Sequence, residues 1–309
     1  MKHKSNHFYR DGTFHHLYIK ALYGRVLFYR TEDYLFLYTL FSKLAWRYEM
    51  KVEAFCIMFN HIHACLKAPS EDEMRSFCRD LSSLFTIGFN IEYNRQGKLL
   101  MPCGYAAKVP GKALRSCLVY IANNPSTGRI TQKAIEYKWN LLKYFLSNCP
   151  FSEKLVKRES RFEMRQSLAI VDGCFRRGRF LNYTILNRVF AKLTNEEKLQ
   201  MVDYIIVKYF FIDRQGFLCH FGGLNKTLVA IDSSSGSEHD FYEPWEDYSV
   251  YLTMLRKTKD SGLDYKGFRF HEMQRKDLIH LRRRLFTVNG ATNKHVERFL
   301  HLEETASWY

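Results

Sequence analysis

The sequence lacks several features that would define its chemistry directly. Its eight cysteines, at 56, 65, 78, 103, 117, 149, 174 and 219, form no Cys-x-x-Cys pair. That excludes an evident disulfide framework or cysteine zinc site, and the thiols read as reduced ones in a cytoplasmic protein. No uninterrupted apolar run approaches the length of a membrane-spanning helix, so no membrane partner is expected. The first residues, Met-Lys-His-Lys-Ser-Asn-His, hold no apolar stretch of the signal-peptide kind. No internal repeat is visible. What the chain does have is positive charge and aromatic side chains. Over 309 residues the formal charge is +15 and aromatics make up 16%. Residues 1–150 contain 21 Lys/Arg against 11 Asp/Glu, a net of +10, so two-thirds of the excess lies in the first half. Such a balance suits a polyanion, with cations meeting phosphates and rings available to stack on unpaired bases.

The periodicity predicts a strand over 14–22 and a helix over 31–49 capped by Thr31, with Glu32 and Asp33 in its first turn. Two apolar strands follow, at 52–58 and 61–67. They meet at a tight Phe59-Asn60 turn, where asparagine would tolerate a positive φ. Ser70 and Glu73 form a capping box for a second helix that ends near Asn94–Gly97. A fourth strand is placed within 98–108. Lys112 to Asn123 is helical by pattern, with Leu114, Cys117, Leu118 and Ile121 on one face. The order β-α-β-β-α-β-α predicts an α+β, ferredoxin-like split βαβ antiparallel sheet with helices on one face. The character changes after about residue 148. The expectation is a domain at 1–148 and a mainly helical accessory domain at 149–309, with a second capping box at Thr194–Glu197. Ser233–Ser237 reads as a loop or linker, and 241–251 as core or an interdomain contact.

The candidate chemistry sits in Phe59-Asn60-His61-Ile62-His63. Side chains alternate along a strand, so His61 and His63 project from one face, where neutral imidazoles can share a divalent cation. With 12 histidines in 309 residues, chance alone yields roughly half such a pair per chain, so the dyad signals little by itself. Tyr120, on the predicted third helix, supplies a hydroxyl able to attack a metal-polarised phosphodiester.

The surrounding words add to this. Met58-Phe59-Asn60-His61-Ile62-His63 resembles the M-P-N-H-U-H segment (U apolar) of single-tyrosine HUH transposases. Val119-Tyr120-Ile121-Ala122-Asn123-Asn124-Pro125 resembles their Y-I-x-x-N-P. Tyr137-Lys138-Trp139 and Tyr144 resemble the tryptophan-containing close of that domain. The insertion-sequence-200-like and REP-associated transposases both belong to this family, the second being the more similar, and the resemblance spans about residues 8–146. Phe59 departs from the family's proline. The Arg-Gly pair usual after its first strand has at most a displaced counterpart in Gly24-Arg25.

The resemblance implies His61 and His63 as ligands of Mg²⁺ or Mn²⁺, Asn124 as a third polar ligand and Tyr120 as nucleophile. It implies an endonuclease and strand transferase acting on single-stranded, hairpin or repeat DNA through a 5′-phosphotyrosine. Asn124, one helical turn beyond Tyr120, would share its face, although Pro125 would tend to open the turn there. Arg75, Arg79, Lys98, Lys108, Lys112 and Arg115 are candidates for phosphate contacts. The use of Tyr120 with its own subunit's metal or with that of a partner in a homodimer stays open. Residues 276–302 form a candidate helix-turn-helix, with Arg282, Arg283 and Arg284 adding charge. The rival reading is a domesticated, non-catalytic DNA-binding protein that recognises repeat hairpins. A replication initiator shares the histidine pair but not the Asn-Pro and tryptophan words.

Overall fold

The order of strands decides which side chains can meet. The computed structural model describes residues 7–233 and 246–302. Its sheet consists of β1 (His7–Phe8), β2 (Phe14–Lys20), β3 (Lys51–Ile57), β4 (His61–Lys67) and β5 (Gly104–Lys108), in the order β1-β5-β2-β4-β3. The last four pair antiparallel, and the short β1 runs parallel to β5. With α1 (Thr31–Arg47) after β2 and α2 (Glu71–Glu92) after β4, the α+β split βαβ arrangement read from the sequence is present.

Alternation gives the sheet two different faces. Phe55, paired with Ala64, points to the side covered by α1 and α2. There the Phe41 ring lies 4.7 Å from that of Phe55 and 5.1 Å from that of Phe77. Burial of each such ring stabilises by roughly 1.5–3 kcal/mol. Cys56 and Tyr18 each pair with His63, on the opposite side, over which α3 (Lys112–Thr127) packs against β3, β4 and β5.

Several local expectations change. Thr31 does not cap α1; it is the first helical residue, and the capping acceptor is the Asp33 carboxylate, which takes hydrogen bonds from the Tyr29 and Arg30 amides at 2.9 and 2.8 Å. Burial raises the Asp33 pKa against the opposing pull of Arg30 and these amides. The hydroxyls of Tyr93 and Tyr183 also donate to it, which ties α2 and the C-terminal half to α1. The fourth strand is confined to Gly104–Lys108; before it the chain makes one isolated bridge, Ala21 with Leu100. Asn60 is not among the positive-φ residues, so its place in the turn rests on its side chain.

The second half is helical: α4 (Phe162–Arg176), α5 (Tyr183–Phe190), α6 (Asn195–Lys208), α7 (Arg214–Cys219), α8 (Leu224–Asp232), α9 (Ser249–Asp260), α10 (Tyr265–Phe268), α11 (Arg275–Phe286) and α12 (Asn293–Leu300). Thr194 caps α6 through the Glu197 amide as read. These helices share the buried cluster of the first half: Tyr38 Oη donates to Ile206 O at 2.8 Å, and Phe211 packs on Phe55. Only Ser233 of the 233–237 segment and residues 246–251 of the 241–251 segment lie within the described residues. In the α11–α12 pair, Arg283 and Arg284 are exposed on the first helix. The second buries Val296, Phe299 and Leu300 and pairs Arg298 with Glu246 at 2.8 Å.

His301, just after α12, is largely buried, and its Nε2–H donates to Val26 O at 2.6 Å. Desolvation lowers its pKa from 6.5 to about 3. The folded state therefore holds it neutral while the unfolded chain takes up a proton below pH 6.5. Its contribution is complete above that value and is lost as pH falls toward 3. The expected loss is roughly 1–2 kcal/mol at pH 5, allowing for the part of the ring that water reaches. Asparagine tolerates the left-handed backbone at this position (φ 56). His301→Asn should therefore make the fall in urea midpoint between pH 7 and pH 5 shallower. An unchanged fall would assign the acid sensitivity to other groups.

Candidate active site

His61 and His63 both lie buried on the α3 side of β4. A chain of hydrogen bonds fixes the tautomer of the first. Asn60 Nδ2 donates to Gly24 O at 3.0 Å, so the other end of its amide, Oδ1, accepts from His61 Nδ1–H at 2.7 Å. The proton on Nδ1 puts the lone pair on Nε2, the form in which an imidazole binds a metal. His63 faces a second imidazole rather than an amide. Its Nδ1 lies 2.9 Å from His16 Nε2 on β2; the His63 lone pair falls on Nε2 in the tautomer whose Nδ1–H donates to His16. Tyr18 stacks on His63 at 4.9 Å between ring centroids, 21° from parallel. The two imidazoles of the dyad are 4.8 Å apart.

Tyr120 projects from α3 toward this pair. Its ring lies edge-on to His63, centroids 5.3 Å apart, and 5.8 Å from His16. It is only partly buried, at the margin of the core. Asn124 is buried one turn further along the same helix. The turn does not open at Pro125 as expected: α3 continues to Thr127, and Asn124 O accepts from Gly128 N at 2.9 Å.

Tyr248 reaches the site from the C-terminal half. Its hydroxyl is 3.5 Å from His61 Nδ1, and its amide donates to Gly128 O at 3.0 Å. Residue 128 must be small for this approach, because a Cβ there would stand 2.7 Å from Tyr248 Cδ2.

His16, Tyr18, Asn60 and Tyr248 were not anticipated. The first two have a legible signal: once β2 neighbours β4, residues of the His16 parity must face His63. His15 points the other way, stacks on Tyr9 at 4.5 Å and is lowered to about pKa 4 by burial. Tyr248 lies 187 residues from its partner, and no local pattern announces it.

The six candidate phosphate contacts separate. Arg75 and Arg79 sit on α2, across the sheet from the histidines, paired with Glu71 at 2.8 Å and Asp80 at 3.3 Å. Lys98 is exposed in the loop before β5. Lys108 is buried, and its pairing with Phe14 gives it the parity of His16. Lys112 and Arg115 are exposed on the first turns of α3, with Lys112 two i+4 steps from Tyr120.

No curated protein matches the chain. A solved structure described as the "REP associates tyrosine transposase bound to a REP hairpin" is similar at 17% identity and a TM-score of 0.39, covering 44% of this chain and 81% of that one. The family model described as "Transposase IS200 like" matches residues 13–124, a span that contains the histidine dyad, His16, Tyr120 and Asn124. The similarity to the IS200-like transposase family thus rests on residues 13–124, just over a third of the chain.

Proposed function

We propose that this protein is a divalent-metal-assisted, single-tyrosine endonuclease and strand transferase acting on single-stranded or hairpin DNA. The observation that carries the reading is the edge-on approach of the Tyr120 ring to His63, at 5.3 Å, within one chain. His61 suits a Mg²⁺ or Mn²⁺ ion because the Asn60 hydrogen bond at Nδ1 leaves Nε2 as the coordinating atom, and His63 does so in the tautomer whose Nδ1–H donates to His16. Among the described residues, no group of three His, Cys, Asp or Glu side chains could hold a metal. The remaining ligands would be oxygens from the Asn124 amide, water or the substrate. When bound, such an ion would withdraw charge from the scissile phosphate.

The chain's own residues supply the rest. The Tyr120 oxygen forms a bond to phosphorus as the P–O3′ bond breaks. The phenol loses its proton and the leaving O3′ gains one. The products are a 5′-phosphotyrosine and a free 3′-OH, and a 3′-OH can later reverse the step without ATP. Asn60 and His16 hold the two imidazoles in their working tautomers. Hairpin DNA is the substrate class implied by the motif resemblance, and we infer no particular sequence.

The test is incubation of the protein with labelled single-stranded hairpins and Mn²⁺, followed by denaturing electrophoresis. A covalent band supports the enzyme; tight binding without a band favours the non-catalytic binder. Because Tyr120 and His63 approach each other within one chain, an equimolar mixture of Tyr120→Phe and His63→Ala proteins should form no adduct. An adduct in the mixture alone would mean that the tyrosine serves a partner's metal.

A further inference from the structure

A cavity of about 580 Å³ lies away from the His61–His63 dyad, where 22–30 and the end of α2 meet the last helices. Its walls are aromatic. Tyr29 stacks on Phe268 at 5.2 Å, 17° from parallel, and Phe89 stacks on Tyr93 at 4.3 Å. Phe270 completes this wall. Arg25, Arg95, His271 and Arg275 also line the cavity, and among the described residues no carboxylate does.

These polar side chains meet unequal conditions. His271 lies 3.9 Å from Glu272, whereas among the described residues Arg95 hydrogen-bonds only to neutral oxygens, of Asn90 and Lys98. Burial, then the neighbouring Arg25, hold the Arg95 guanidinium below its ordinary pKa. Like charges gathered in a partly buried hollow destabilise the fold unless an anion joins them. The backbone is also strained at the wall: Phe268 is held at φ 69, a conformation that costs a non-glycine residue about 1 kcal/mol.

We propose that this cavity binds one unpaired nucleotide, its base against the aromatic wall and its phosphate against Arg25, Arg95 and Arg275. The volume is in the range of small-ligand sites. Stacking on rings together with guanidinium contact is how proteins hold unpaired bases without reading sequence. The cavity also connects to the histidine site. Arg25 follows Gly24, whose carbonyl accepts from Asn60, and Asn60 in turn accepts from His61. Residues 268–302 of the wall lie outside the family-matched segment. The proposal rests on the protein acting on DNA, and the ligand could be a nucleotide turned out of a strand or a free mononucleotide.

The experiment measures the anisotropy of a labelled single-stranded oligonucleotide, with deoxynucleoside monophosphates and inorganic phosphate titrated separately. Arg95→Ala and the exposed Arg275→Ala should each weaken oligonucleotide binding about tenfold and lower the salt slope by about one. Met273→Trp, which fills the cavity, should do the same without lowering the salt slope. Mononucleotide binding that is lost in Arg95→Ala identifies a free nucleotide as ligand. Oligonucleotide binding alone, weakened by abasic substitution at one position, identifies a strand nucleotide. Binding unchanged in all three variants overturns the proposal, as does inorganic phosphate binding as well as any nucleotide. The covalent-band assay on the same proteins separates the two readings. A wild-type band with normal DNA binding in the variants would sink the cavity alone. No wild-type band, with binding lost in the variants, would sink the nuclease reading alone.

Discussion

Tyr120→Phe should abolish the covalent protein–DNA band, by at least about a thousandfold, while changing hairpin affinity less than about threefold. The two effects separate because the substitution removes one oxygen and leaves the ring. Phenylalanine keeps the edge contacts with His63 and His16, at 5.3 and 5.8 Å between centroids, so packing around the histidines should persist. Among the other described side chains around the dyad, the imidazoles hydrogen-bond through Nδ1, and Tyr18 lies flat on His63. Tyr248 is the one rival hydroxyl, 3.5 Å from His61 Nδ1. The variant therefore also discriminates between two tyrosines. A band that survives Tyr120→Phe and disappears in Tyr248→Phe would move the nucleophile to the C-terminal half and overturn the assignment. Loss of a lone nucleophile is usually the largest single effect in a covalent mechanism.

Much of the sheet was legible because its signals are local. Apolar alternation, Ser70 and Thr194 with their glutamates, and the Lys112–Asn123 stripe depend only on neighbouring residues. The dyad was legible for the same reason: two residues apart on a strand means one face. The reading failed where a side chain found a distant partner. Asparagine in a turn suggested a positive φ, yet Asn60 was fixed by Gly24 and His61 instead. Thr31 looked like a cap, but a buried Asp33 two residues later took the amides. Pro125 argued for an open turn, but the packing of Leu118, Ile121 and Ala122 in the core kept α3 helical to Thr127. The cations read as a phosphate surface from composition alone divide between two faces of the sheet, because charge counts carry no information about which face a helix presents. Tyr248 and the aromatic cavity come from segments more than 100 residues from their partners, where no spacing rule operates.

His63→Ala should also abolish the band, and no concentration of Mn²⁺ should restore it, because on the proposed reading the change removes a coordinating nitrogen. The more discriminating variant is His16, which we assign as a positioning residue acting through His63. Its Nε2 lies 2.9 Å from His63 Nδ1; with that nitrogen as the acceptor, its loss leaves the ring free to rotate and the other tautomer competitive. Removing such an outer partner typically costs 10–100-fold in metal affinity. His16→Leu should therefore raise the Mn²⁺ concentration for half-maximal adduct formation by that factor, with the rate at saturating metal near wild type. His16→Gln offers a carbonyl oxygen to the same Nδ1–H and should recover part of the lost affinity. Equal defects in the leucine and glutamine proteins, with no shift in metal dependence, would reduce His16 to a packing residue. A saturating rate that falls as far as that of His63→Ala would instead place His16 among the groups that touch the metal or the substrate, and the two-imidazole site would have to be redrawn with three.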